Sequence, residues 1–100
     1  MPRFDIYPLP QNGRGYLLDV QADLLNRLDT RVVVPLFPES SAPSPMANLN
    51  PVFEIQGVRH VMMTQSIATM RRKDLGEGVL SLNEHHYAIT NALDVLLSGY

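Results

Sequence analysis

Arg31-Val32-Val33-Val34-Pro35-Leu36 is the stretch on which the fold turns. Three β-branched residues in a row suit a pleated, buried surface, so the run reads as a strand. Pro35 lacks an N–H and marks a strand end or an edge. Upstream, Phe4 and Ile6, with Tyr7, form a short apolar stretch that Pro8 and Pro10 close. Asn12-Gly13-Arg14-Gly15 tolerates positive φ and lets the chain reverse, and Tyr16-Leu17-Leu18-Asp19-Val20 returns as a second strand. Between that strand and the valine run, Leu24, Leu25 and Leu28 are spaced as in a short amphipathic turn or a bulged loop.

Downstream, residues 37–51 read as an irregular, mobile loop, because four prolines punctuate its serines. Residues 52–63 read as a hairpin turning at Gln56-Gly57, with Gly57 at a positive-φ site. Residues 64–70 give a further strand or crossing segment, 74–78 a turn, and Val79-Leu80 a short strand. The last element reads as a helix. Ser81-Leu82-Asn83-Glu84 matches a capping box, Tyr87, Ile89, Leu93, Leu96 and Leu97 recur at helical spacing, and Gly99 stands where a left-handed C-cap belongs. The chain is therefore strand-rich with one C-terminal helix, and it shows no internal repeat.

The totals narrow the function classes. One hundred residues fit one domain, 1–100, with a core so small that pairing with a second copy would help cover it. A 45% hydrophobic, 18% charged composition argues against wholesale disorder. A net charge of −2 disfavours a phosphate-dominated nucleic-acid binder. The absence of cysteine removes disulfides, thiolate metal sites and a thiol nucleophile. Neither a secretory leader nor an apolar run of bilayer length is visible, so a soluble cytoplasmic protein without a membrane partner is expected.

Few residues look chemical. His85 and His86 are neighbours, about 100° apart on a helix, and lack the i, i+4 spacing of a zinc pair. His60 falls within a strand and reads as a half-buried packing residue. No Gly-x-Ser-x-Gly elbow and no phosphate-cradling glycine loop is present. Asp19 and Asp23 are the nearest carboxylate pair, read as solvated. Arg71-Arg72-Lys73 is the one basic run, an exposed turn or a contact patch for an acidic partner. The chain ends on apolar and aromatic groups, and Asp94 lies where the helix dipole disfavours a negative charge. Leu97 and Tyr100 either pack on the domain or present a contact surface. The residues alone describe a β-rich binder rather than an enzyme, with no cofactor and no metal.

Several segments resemble the CcdB toxin family, in order and at matching spacing. These are Asp19-Val20-Gln21-Ala22-Asp23-Leu24-Leu25, Arg31-Val32-Val33-Val34-Pro35-Leu36, Pro51-Val52-Phe53-Glu54-Ile55, Met62-Met63-Thr64-Gln65-Ser66-Ile67-Ala68, and Asn91-Ala92-Leu93 with Gly99. The resemblance implies a mainly β fold: an SH3-like barrel with a small additional antiparallel sheet and one C-terminal α-helix. It implies a homodimer whose helix ends lie close to the two-fold axis. It further implies a toxin that binds and poisons DNA gyrase through the A subunit. A cognate CcdA-like antitoxin neutralises such a toxin and represses the shared operon together with it, so DNA is met only through gyrase or the antitoxin. Carried over by position, gyrase contact falls on Leu24, Leu25, Asp94, Leu97, Ser98, Gly99 and Tyr100. Ser98, Gly99 and Tyr100 stand where the best-known members carry tryptophan, glycine and isoleucine, and Asp94 replaces an asparagine. Two alternatives stay open. One is an endoribonuclease like the related MazF/Kid toxins, using Arg31 and His60; the other is a non-toxic member that only binds antitoxin.

Overall fold

The computed structural model describes residues 2–10 and 13–99; Asn12 of the first reversal lies outside the described residues. Among the described residues, seven strands precede one α-helix. They are β1 (Asp5–Pro8), β2 (Tyr16–Asp19), β3 (Thr30–Pro38), β4 (Val52–Ile55), β5 (Val58–Met62), β6 (Ala68–Arg71) and β7 (Leu80–Ser81), followed by α1 (His86–Ser98). All pairings are antiparallel, in the order β4-β5-β3-β2-β1-β7, with β6 off this path on β3. The mainly β reading with one C-terminal helix is what the structure shows: a curled half-barrel sheet, one extra strand and the helix.

The valine run lies at the centre of this arrangement. One edge of β3 pairs with β2, from Val33 opposite Asp19 to Leu36 opposite Tyr16. Its other edge is divided, with residues 30–33 on β6 and 36–38 on β5. Pro35 is therefore neither at a strand end nor on an edge strand, the two places the sequence suggests, but inside a strand paired on both sides. Its carbonyl accepts the Met63 N–H at 2.9 Å on the divided edge, so its missing donor falls where that edge changes partners. The 3₁₀ turn Thr64–Ser66 carries the chain across this gap from β5 to β6.

The expected loop at 37–51 begins later than the prolines suggest. Phe37 and Pro38 are still paired, opposite Val61 and His60. The loop's far end is pinned by buried polar groups. Asn50 donates to the Met62 carbonyl (2.9 Å) and to Gln65 Oε1 (2.7 Å), and buried Thr64 donates to the Leu49 carbonyl (2.6 Å). The β4–β5 hairpin turns at Gln56-Gly57, as read from the sequence. Both residues have positive φ, 51° and 81°, which matches the right-handed strand twist.

The helix starts differently from the expectation. Ser81 is the last residue of β7, and its Oγ accepts the Asn83 N–H (3.1 Å). The capping box does not form. A 3₁₀ turn, Asn83–His85, intervenes, and neither it nor α1 has a side-chain cap. The helix is anchored by packing instead. Ile89 and Ala92 are fully buried against a core that includes Ile6, Leu18, Val34, Leu36, Phe53 and Met62. The Leu82 N–H bonds the carbonyl of Phe4, a buried residue held at a φ of 74°.

A buried ion pair joins β2 to β3. Arg31 donates to Asp19 Oδ2 from Nε (2.8 Å) and Nη2 (2.7 Å), and both side chains are fully buried. Asp19 Oδ1 accepts the Gln21 N–H (3.0 Å), and Arg31 also reaches Asn26 Oδ1 (2.9 Å). Burial pushes the Asp19 carboxyl above the usual carboxylate range, and the Gln21 amide and the Arg31 guanidinium act against that shift. Asp19 is thus no member of a solvated acidic pair.

Two tests follow from this packing. A Cβ on Gly15, where φ is 117°, would collide with the Leu36 carbonyl oxygen, so Gly15→Ala should lower the unfolding free energy by at least about 1–3 kcal/mol. Gly76→Ala, in open space, should stay within about 0.5 kcal/mol of wild type in the same urea titration. Arg31→Leu should cost about 3–5 kcal/mol by stranding a buried carboxylate, and adding Asp19→Leu should recover most of that loss. Equal stability of the single and double variants would show that an unpaired Asp19 carboxylate is not the source of the loss.

Candidate functional site

The residues singled out by resemblance fall on two elements. Leu24 and Leu25 belong to the 3₁₀ turn Asp23–Leu25 in the connection from β2 to β3. This connection is short of apolar depth, since no residue of the turn is buried. Its shape comes from the polar side of the loop: Gln21, itself buried, accepts the Val32 N–H at Oε1 (3.1 Å) and donates from Nε2 to the Leu25 carbonyl (2.9 Å). The amphipathic spacing therefore points outward. Leu24 is 92% exposed, and Leu25 and Leu28 are about half exposed.

Asp94, Leu97, Ser98 and Gly99 form the other group, the last turn of α1 and its cap. Asp94, Leu97 and Ser98 are separated by three and four residues and share one face. All three are exposed, and Leu97 is 75% so. Gly99, at a φ of 80°, ends the helix in the left-handed conformation its position implied. Its N–H bonds the carbonyls of Asp94 (3.1 Å) and Val95 (3.0 Å). Of the two readings of the chain end, Leu97 takes the presented one; Tyr100 lies outside the described residues. The helical spacing misassigned Tyr87, which is 80% exposed: it stands two residues before buried Ile89, about 200° around the helix, on the face of exposed Asn91 and Asp94.

The structure does not pack these two groups against each other. The backbone of α1 runs closest to the turns Thr64–Ser66 and Asn83–His85, while its buried side chains enter the core. Electrostatically the helix end is unassisted. Its last turn holds no basic residue and its first turn no acidic one, so the macrodipole is compensated at neither end.

The histidines and Arg31 are placed away from any shared constellation. His60 is buried, its ring 5.2 Å from that of Tyr16 and its Nδ1 2.9 Å from the Val58 carbonyl. With Arg14 and Tyr16 it lines a depression of about 500 Å³. Arg31, named with His60 in the ribonuclease alternative, is sealed in its pair with Asp19 and presents no surface to an RNA phosphate. His85 lies against Phe53, with ring centroids 4.8 Å apart, and His86 against Tyr87. No group of three or more metal-ligating side chains occurs among the described residues. No helix among them is long and apolar enough to cross a membrane.

The sequence had no means of showing the anchoring of the leucine turn. Gln21 and Asn26 carry no motif, and their role appears only when β2 and β3 are paired. What the arrangement offers chemically is apolar contact area on a rigid frame. No curated protein matches the chain. A family model described as "CcdB protein" matches residues 3–99, so both leucine-bearing elements and the sheet between them lie inside the match. The chain belongs to the CcdB family, the toxin component of CcdA/CcdB-type systems.

Proposed function

We propose that this protein binds the A subunit of DNA gyrase as a homodimer and poisons it, and that a CcdA-like antitoxin removes it and represses the operon jointly with it. The contact residues in this reading are Leu24, Leu25, Asp94, Leu97, Ser98, Gly99 and Tyr100. The observation that supports it most is the pair of large apolar side chains left in water, Leu24 and Leu97. Covering one such side chain contributes about 1.5–3 kcal/mol, and a two-fold dimer offers each surface twice.

Poisoning of this kind needs no nucleophile, base or metal. It needs tighter binding to one state of a cycling enzyme, which shifts that enzyme's population toward the bound state. A left-handed glycine that stops α1 suits this, because it closes the last turn on the face that carries Asp94, Leu97 and Ser98.

Ser98 favours a second reading. At the position where the best-known members carry tryptophan, this chain has a small hydroxyl side chain that cannot stack on a guanidinium. A member that binds antitoxin but not gyrase fits that substitution.

The two readings separate in one calorimetric titration of the purified chain into the dimerisation region of the host's gyrase A subunit. Gyrase poisoning predicts saturable binding, weakened at least about tenfold (1.4 kcal/mol) by Leu97→Asp and by Leu24→Asp with the fold intact. Ser98→Trp should tighten it. No binding by folded wild-type protein, with binding created by Ser98→Trp, would establish the antitoxin-only reading. No binding by either would remove gyrase, and an RNA-cleavage assay would then test the ribonuclease alternative.

A further inference from the structure

The basic run at 71–73 has no counterpart in the gyrase-binding reading. Arg71 ends β6 opposite Thr30 of β3, so residues 71–74 run beside residues 26–30. The join is tight. The Arg72 N–H donates to the Asp29 carbonyl (2.8 Å), and its Nη1 donates to the Asn26 carbonyl (2.9 Å). Between them lies an open depression of about 660 Å³ lined by Asp29, Arg71, Arg72 and Lys73.

The charge here opposes that of the rest of the molecule. Arg71, Arg72, Lys73 and the neighbouring exposed Arg27 are four of the chain's eight basic residues, in a chain of net charge −2. Two carboxylates accompany them. Asp74 is taken up by Arg71 Nε at 2.8 Å, and Asp29 stands in the wall of the depression. Lys73 is exposed and makes no ion pair or hydrogen bond among the described residues. Arg72 is half-buried and held by a backbone carbonyl through one of its five N–H donors, so its guanidinium is already ordered before anything binds. Leu28, the residue before Asp29, does not line the depression but is 48% exposed, a large apolar side chain left in water one residue from its wall.

We infer that this depression binds an acidic peptide segment, with carboxylates on Arg72 and Lys73 and an apolar side chain on Leu28. A nucleic-acid backbone fits less well. Its closely spaced phosphates would meet the Asp29 and Asp74 carboxylates, and no lining residue is aromatic, so a base has nothing to stack on. Carboxylates spaced along a peptide can avoid the two acids, and its apolar side chains can use the leucine. This inference does not rest on gyrase binding, since none of its residues belongs to that proposed surface.

Fluorescence anisotropy of the intact protein tests it, with a labelled twelve-residue peptide alternating glutamate pairs and leucine. Its glutamine counterpart and a single-stranded DNA of equal formal charge serve as comparisons. The expected result is saturable binding of the acidic peptide, at least tenfold tighter than the glutamine peptide or the DNA. Lys73→Glu and Arg72→Gln should each weaken it at least tenfold. Lys73 has no partner to lose among the described residues, so Lys73→Glu should keep the wild-type urea midpoint, which guards against loss of fold. Unchanged affinity in Lys73→Glu, equal binding of the glutamine peptide, or tighter binding of the DNA would each overturn the assignment.

Discussion

The Asp19–Arg31 ion pair is the constraint from which the working surfaces hang. Two opposite charges held out of water contribute little net stability, but either one left alone is costly, so the pair fixes geometry more than it adds free energy. Asp19 holds the Gln21 amide, and Gln21 bridges Val32 and the Leu25 carbonyl. Arg31 holds Asn26 by its side chain while Arg72 takes the same residue's backbone carbonyl. One network thus shapes both the leucine turn and the wall of the basic depression. A connection with almost no buried apolar group is positioned from beneath by polar groups that are themselves shielded from water.

The sheet was largely legible because its determinants are local. The β-branched run, the alternating stretches around Gln56-Gly57 and the proline clusters each act within a few residues. Pro35 shows where locality ends. A proline normally argues for an edge, yet here it lies inside the longest strand, tolerated because two different strands share that side of β3 and leave an interval between them. Ser81 and Glu84 show the same limit from the opposite side. The pattern for a capping box is present, but Ser81 is already committed to pairing with Asp5 in β7, and the helix begins further on.

The candidate surfaces were legible to different degrees. Leu24, Leu25 and Leu97 could be picked out by resemblance, but periodicity alone would have sent them inward along with Ile89. Exposure depends on which face the sheet already fills, and that is a property of the assembled core. Arg31 and Asp19 were misread for the same reason: twelve residues apart, they carry no spacing signature, and their charges look available until β2 and β3 are brought together.

The helix dipole left uncompensated at both ends has a further consequence. With thirteen residues, no side-chain cap and no favourable terminal charges, α1 lacks the means to hold its shape in water by itself. Its order is borrowed from Ile89 and Ala92, which are wholly buried in the core. The exposed face carrying Asp94, Leu97 and Ser98 is therefore a readout of the core's integrity. A segment cut from the chain would not retain that face, and any partner that recognises it recognises, in effect, only fully folded copies.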